Sequence, residues 1–291
     1  MNIIFTIQGG LGKSVVGTAV CKAIKKKYPN CKLIVLTGYP EVFTNNKEVD
    51  MAFGLGQEAY FYSKYIDGQE VKIFANDPYQ VTEHILNQEH LIETWCKMNG
   101  LEYNGEMPSV ELNERERVFY FNKYQYEKPI FILQTHGGAP QQESKYSWAR
   151  DMPRNVINAV IEEFKNQYTI LHIKREDQFD FDNTTPIQES FKGVACLLQR
   201  SEKRLLIDSF CQHTAAALNK HSSVLWICNN PNVFGYPIHD NIIANPETEK
   251  PDLRFSVFGK YNITGALQEF PYKSELDIFN IDRIIQSVIA Q

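Results

Sequence analysis

Residues 2–37 commit this chain to a parallel sheet. A short β-prone run, 2–7 (NIIFTI), is followed at once by a glycine-rich turn, Gln8-Gly9-Gly10-Leu11-Gly12-Lys13-Ser14. Residues 15–27 place Val16, Val20 and Ile24 on one helical face. They end in Lys25-Lys26-Lys27, where cations suit the negative end of the helix dipole. A second apolar run, 31–37 (CKLIVLT), comes next. Strand, helix, strand in this order is a βαβ unit, whose crossover brings the two strands side by side and parallel.

The pattern restarts at 129. The run 129–134 (PIFILQ) leads into a small-residue loop, Thr135-His136-Gly137-Gly138-Ala139-Pro140. An amphipathic helix built on Val156, Val160, Ile161 and Phe164 follows, then a strand at 168–173 (YTILHI). Between the two series lies a charged, aromatic stretch, 113–128 (NERERVFYFNKYQYEK), of the polar kind that domain boundaries favour. The expected organisation is α/β: two Rossmann-like domains, 1–127 and 128–291, with the terminal helix 274–290 free to pack back on the first. Further strands are expected at 71–75, 109–112, 194–198, 222–228 and 241–244, and one helix at 80–98. Residues 247–275, rich in Pro, Gly and charge, read as irregular.

Composition removes several classes. No apolar run approaches the roughly 20 residues that span a bilayer, and the start of the chain lacks the basic region and cleavage site of a signal peptide. Six scattered cysteines without a C-x-x-C pair fit reduced thiols in a cytoplasmic protein rather than a disulfide framework or a zinc site. A net charge of −5 argues against a mainly electrostatic grip on nucleic acid, though it leaves room for a local basic cleft. No bound cofactor and no metal site is expected; Asp180-Phe181-Asp182, the one formal Asp-x-Asp pair, reads as a solvated loop.

The most informative segment for chemistry is 207–236 (IDSFCQHTAAALNKHSSVLWICNNPNVFGY). Asp208 and Ser209 are helix N-cap types, 214–218 is helical by propensity, and the apolar run behind it has strand length. The N–H groups that open such a helix form an anion site, reinforced by the macrodipole. A diphosphate fits there, against Ser209 and Phe210, with Asp208 and His213 facing the same crevice. An ordinary capped helix with a satisfied histidine has the same pattern.

The glycine-rich turn at 8–14 also has two readings. It is not a Walker A loop, because Ile7 stands where the first glycine belongs. It approaches the deviant P-loop of partition-type ATPases, but Gln8 replaces the signature lysine and the next strand ends without an acidic residue for magnesium.

The chain resembles glycosyltransferase family 9, the heptosyltransferase family. The resemblance rests on Asp208, Ser209, His213, Ala216, Ala217 and Leu218, on Asn230-Pro231 and Gly235-Tyr236 behind them, and on Tyr28-Pro29 and Asn46-Lys47-Glu48-Val49-Asp50 near the start. It implies a GT-B architecture, two Rossmann-like domains facing a central cleft. It also implies a nucleotide-diphosphate sugar donor, ADP-heptose-like, in the C-terminal domain, an acceptor in the N-terminal one, and inverting transfer without a required metal. On the donor side it points to Thr135, His136, Gly137, Lys145 and Lys174 together with Asp208, Ser209, Phe210 and His213. On the acceptor side it points to Gly10, Gly12, Lys13 and Ser14. One departure stands out. The family's aspartate after the glycine, the base that deprotonates the acceptor hydroxyl, is Lys13 here. An ordinary lysine is a cation and a poor base. Lys13 then has a shifted pKa, binds an acceptor phosphate, or leaves the base role to another residue, with Asp77, Glu83 and His84 as candidates. The acceptor is a saccharide or, as in some phage enzymes of this architecture, a modified DNA base. Two other readings are a binding protein that has lost catalysis and the ATPase above.

Overall fold

The computed structural model describes residues 1–137, 147–245, 270 and 272–291. The chain divides into two compact units, Met1–Arg117 and Val118–Gln291.

The first unit runs β1 (Asn2–Ile7), α1 (Leu11–Lys27), β2 (Lys32–Thr37), β3 (Met51–Gly54), α2 (Phe61–Tyr65), β4 (Val71–Phe74), α3 (Thr82–Ile85) and α4 (Leu91–Met98). Its sheet has the order β3-β2-β1-β4, all parallel. Covered on both faces, β1 buries Ile3, Ile4, Phe5 and Ile7, which is why it reads as an unbroken apolar run. The single helix expected over 80–98 is two. Asn87 takes a left-handed φ of 54° and ends α3, and the His90 side chain accepts from Ile92 N to start α4. Residues 109–112 are not a strand. Ser109 N donates to Thr18 Oγ1 at 2.8 Å, and Val110 and Leu112 are buried, so the segment is an anchored strap whose alternation mimics a strand.

The boundary between the units falls inside α5 (Glu114–Lys123), within the charged stretch 113–128. Asn113 and Glu116 exchange backbone-to-side-chain bonds at 2.8 Å in both directions. That reciprocal cap starts a helix that the apolar periodicity does not announce.

The second unit continues with β5 (Ile130–Leu133), α6 (Arg154–Phe164), β6 (Thr169–Ile173), β7 (Thr185–Ile187), α7 (Phe191–Arg200), β8 (Lys203–Ile207), α8 (Phe210–Ala217), β9 (Ser223–Trp226), α9 (Pro231–Phe234), β10 (Asp240–Ile243) and α10 (Ile281–Ile289). Its six strands are all parallel in the order β10-β9-β8-β5-β6-β7. Counted from β5, this is the 3-2-1-4-5-6 arrangement of a dinucleotide-binding sheet. Residues 194–198, expected as a strand, lie in α7. Ser190 caps that helix by accepting from Gly193 N, and its central run, 194–198, is wholly buried, which gives that stretch the unbroken apolar look of a strand. The α10 helix, capped by Asn280, sends Ile284 and Val288 into the same core as Phe131, Val156, Leu205 and Leu225, so its apolar face serves the second unit. Before it, Ser274 and Asp277 cap a separate 3-10 turn.

Candidate functional site

In an open parallel sheet, ligands bind beyond the carboxyl ends of the strands where the strand order reverses. Each unit has one such point: between β1 and β4 in the first sheet, between β5 and β8 in the second.

At the first, β1 runs into Gly9, whose φ of +112° suits glycine alone. Helix α1 then begins at Leu11, so Gly12, Lys13 and Ser14 lie in its first turns. Lys13 is buried and its Nζ lies 2.7 Å from Oδ1 of Asp77, just past the end of β4. Tyr79 N donates to the same Oδ1 at 3.0 Å. The Lys13 ammonium also sits 4.5 Å from the Tyr79 ring centre and 5.6 Å from that of Trp95. His84 is fully buried and stacks on Tyr79 with ring centres 4.9 Å apart. The three residues singled out from the sequence as Lys13, Asp77 and His84 thus form one cluster, with Tyr79 at its centre. Asp77 is its most open member, with 36% of its side chain exposed against 5% for Lys13. Oδ2 of Asp77 accepts no hydrogen bond among the described residues. Ser14 is fully buried and its hydroxyl bonds Thr37 Oγ1 at 2.8 Å. Lys13 and Ser14, the residue types that a P-loop offers to phosphate and magnesium, are here bonded to Asp77 and Thr37.

At the second point, β5 leads through Gln134 into Thr135, His136 and Gly137, and β8 leads into Asp208 and Ser209, with α8 opening at Phe210. Gln134 N donates to Leu205 O at 3.0 Å and carries the pairing of the two strands to their ends. Ser209 takes the N-cap position without using its side chain as a cap. Asp208 is buried against the side-chain amide of Asn229, and Arg150 Nε lies 3.8 Å from its Oδ2. An added Cβ on Gly137 would meet Arg150 Cδ at 2.5 Å, so Gly137, Arg150 and Asp208 are packed in a row. Gly137 N donates at 3.0 Å to Asp151, which also accepts from Ser147 N at 2.7 Å. Burial holds the Asp151 carboxyl above its usual range despite these two donors.

Thr135 is fully buried, and its hydroxyl lies 2.5 Å from His136 Nδ1 and 2.7 Å from His172 Nε2. Burial lowers the pKa of His136, and lowers that of His172 to about 3. His213 Nδ1 lies 2.9 Å from the Tyr236 hydroxyl. Lys174 is buried with its Nζ 2.7 Å from Asp180, whose carboxylate is 77% exposed. A ligand anion at Lys174 therefore competes with an acid at the surface. Lys145 lies outside the described residues. Tyr79 was singled out from the sequence as a residue lining an acceptor site, whereas Arg150, Asp151, Asn229, His172 and Trp95 were not singled out as site residues. Arg150 and Asn229 sit in turns with no pattern of their own, whereas His172 had a usable signal, a polar residue inside an apolar strand. Among the described residues, no group of three or more His, Cys, Asp or Glu is arranged to hold a metal ion, and no helix is long and apolar enough to cross a membrane.

No protein-family model matches the chain, and no curated protein matches it in sequence. Solved structures do. A family 9 glycosyl transferase from Veillonella parvula aligns with a TM-score of 0.68 at 12% identity, over 99% of this chain and 96% of that one. The ADP-heptose lipopolysaccharide heptosyltransferase II of E. coli aligns with a TM-score of 0.69 at 12% identity, over 100% and 98%. A second E. coli heptosyltransferase, solved with ADP, aligns with a TM-score of 0.58 at 10% identity, over 91% and 100%. The chain has the fold of the family 9 glycosyltransferases. The architecture is GT-B, as the two parallel sheets and these whole-chain alignments show. On this GT-B fold, Lys13 and Asp77 bring a cation and a carboxylate together at the turn after β1.

Proposed function

We propose that this protein is an inverting glycosyltransferase that moves a sugar from a nucleoside-diphosphate sugar, of the ADP-heptose kind, to an acceptor hydroxyl. The observation that carries the reading is the convergence of Thr135, His136 and Gly137 with Asp208, Ser209 and the start of α8 at the strand-order reversal of a dinucleotide-type sheet. Breaking the glycosidic bond leaves a diphosphate that gains negative charge. The first N–H groups of α8, at Phe210 and beyond, point their dipole at that charge, and Arg150 lies beside it. In this reading the chain's own dipoles and cations, with Lys174 among them, stabilise the leaving group without a divalent ion. Asp208 and His213 hold the nucleotide's hydroxyl-bearing part in place.

The acceptor proton goes to Asp77. Lys13 and Tyr79 N fix Oδ1, and Oδ2 is left to meet the hydroxyl. Lys13 then serves as the residue that positions the base, which resolves its lack of basicity.

The test is a calorimetric titration with ADP, UDP, GDP and CDP, followed by assay of nucleoside-diphosphate release from the matching sugar nucleotides. One nucleotide should bind clearly better than the rest. Asp208→Ala should weaken it about tenfold or more, on the scale of a lost charge-assisted hydrogen bond, with the protein still folded. Absence of binding by all four would reject the reading.

A further inference from the structure

Thr135 Oγ1 bears one hydrogen, yet it lies within hydrogen-bond distance of two imidazole nitrogens, His136 Nδ1 and His172 Nε2. One contact is donated by the hydroxyl and the other is accepted by it. Both rings are neutral at pH 7, because burial disfavours their charged forms. Two arrangements remain. If the hydroxyl donates to His172, that ring carries its proton on Nδ1. If it donates to His136, His172 carries its proton on Nε2 and donates it to Thr135.

His172 Nδ1 decides between them. It is buried and has no hydrogen-bond partner. A buried N–H without an acceptor is rare, while an unmet lone pair is the more tolerable defect. The same choice is visible at His239, where Nε2 faces the Gln212 carbonyl oxygen at 2.9 Å and Nδ1 is the buried atom left over. The proton of His172 is therefore on Nε2, the Thr135 hydroxyl points to His136 Nδ1, and His136 carries its proton on Nε2. That nitrogen has no partner among the described residues.

We propose that the His172–Thr135–His136 relay fixes His136 as a neutral Nε2–H donor to an acceptor oxygen of the nucleoside diphosphate. The proposal rests on the sugar-transfer reading for its ligand, but not for its tautomers. His136 stands in the loop that follows β5, one residue before Gly137, whose own N–H is committed to Asp151. At that position the imidazole replaces the backbone N–H that a glycine-rich phosphate turn would supply. A locked donor also selects: it accepts a phosphate or ribose oxygen and rejects a group that can only donate. Thr135 and His172 are positioning residues, and His136 is the one that touches ligand.

The experiment is long-range 1H–15N NMR of the 15N-labelled full chain at pH 7, with His136→Gln and His172→Gln spectra assigning the two rings. Both should appear as the Nε2–H tautomer. Titration with the tightest of ADP, UDP, GDP and CDP should move the His136 Nε2 resonance. Thr135→Val should give mixed tautomers at His136 and weaken that nucleotide roughly three- to tenfold, the span of one hydrogen bond; Thr135→Ser should retain both. An Nδ1–H or doubly protonated His136 in the wild type overturns the relay. A bound nucleotide that leaves His136 Nε2 unmoved overturns the assigned ligand contact. Expected tautomers with no nucleotide bound at all would reject the sugar-transfer reading and the ligand with it, while the relay would stand.

Discussion

Lys13 Nζ and Asp77 Oδ1 lie 2.7 Å apart across 64 residues of sequence, joining the first turn of α1 to the end of β4. The pair is asymmetric: the lysine is buried and the aspartate partly open. Removing one partner from a pair that is buried on one side leaves that charge unmet. We expect Lys13→Asp to destabilise the first unit by about 1–3 kcal/mol, discounted for the exposure of Asp77. Adding Asp77→Lys should recover most of that loss, since the pair is then reversed in place. Urea denaturation of the two single variants and the double variant gives the coupling directly. Purely additive losses would mean that the two side chains do not interact in solution.

Asp77→Asn tests the chemistry separately. The amide keeps the shape and can still accept from Tyr79 N, but it cannot take a proton. Loss of a general base costs on the order of 10²–10⁴ in rate, so sugar transfer should fall by that much while nucleotide affinity is unchanged. Equal activity in wild type and variant would move the base elsewhere.

Ser14→Ala separates a structural hydroxyl from an acceptor contact. Ser14 Oγ bonds Thr37 Oγ1 at 2.8 Å in a fully buried position, and Thr37 Oγ1 also accepts from Tyr39 N at 3.2 Å. Removing the serine hydroxyl should cost about 1 kcal/mol of stability and leave the Michaelis constant for acceptor unaltered. A change in that constant with no loss of stability would return Ser14 to the acceptor site.

These expectations were legible in the sequence to different depths. The βαβ openings at 2–37 and 129–173 could be read because buried parallel strands are apolar throughout and their turns carry glycine. The helix start after Ser209 could be read from residue types that favour caps, although the Ser209 side chain makes no cap bond. The Lys13–Asp77 pair could not be, since nothing in a linear sequence says which strand lies beside β1; that depends on the order β3-β2-β1-β4. Helix α7 was hidden by its own burial, and α5 by the opposite condition, having no buried face. Asn113 and Glu116 were the readable trace of α5, a reciprocal cap three residues apart.

Two buried histidines make the second unit acid-sensitive. His172 has its pKa lowered to about 3 and His239 to about 4, in each case chiefly by burial. An unfolded chain restores both to about 6.5. Between these values the unfolded state binds the extra protons, so stability rises with pH across the window. It is fully present above about pH 6.5 and is lost as pH falls toward 4. Each histidine should cost about 2 kcal/mol on going from pH 7 to pH 5. His239→Gln keeps a donor for the Gln212 carbonyl but does not titrate, so its urea midpoint should depend less steeply on pH over this range. An unchanged slope would show that carboxylates alone carry the acid response.

Arg204 gives the strongest stability prediction, because its buried guanidinium binds backbone rather than acid. Nε donates to His221 O at 2.7 Å, one terminal nitrogen to Ser201 O and to Ser201 Oγ at 2.9 Å, and the other to Glu202 O at 3.2 Å. The side chain thus ties the start of β8 to the turn before β9. Burial lowers its pKa to about 10, which still leaves it charged at neutral pH. Among the described residues no carboxylate repays the desolvation, so the carbonyls must, and they in turn have this cation as their donor. Arg204→Met keeps much of the apolar stem but strands those carbonyls. Each buried acceptor without a partner costs about 1–3 kcal/mol, partly relieved where water can enter. We expect a loss of about 3–5 kcal/mol, enough to unfold a marginal domain. Arg204→Lys retains the charge but cannot present the planar fork, and should recover less than half of the difference. Comparable thermal midpoints for the lysine variant and the wild type would show that charge alone, and not the fork, holds this corner of the sheet.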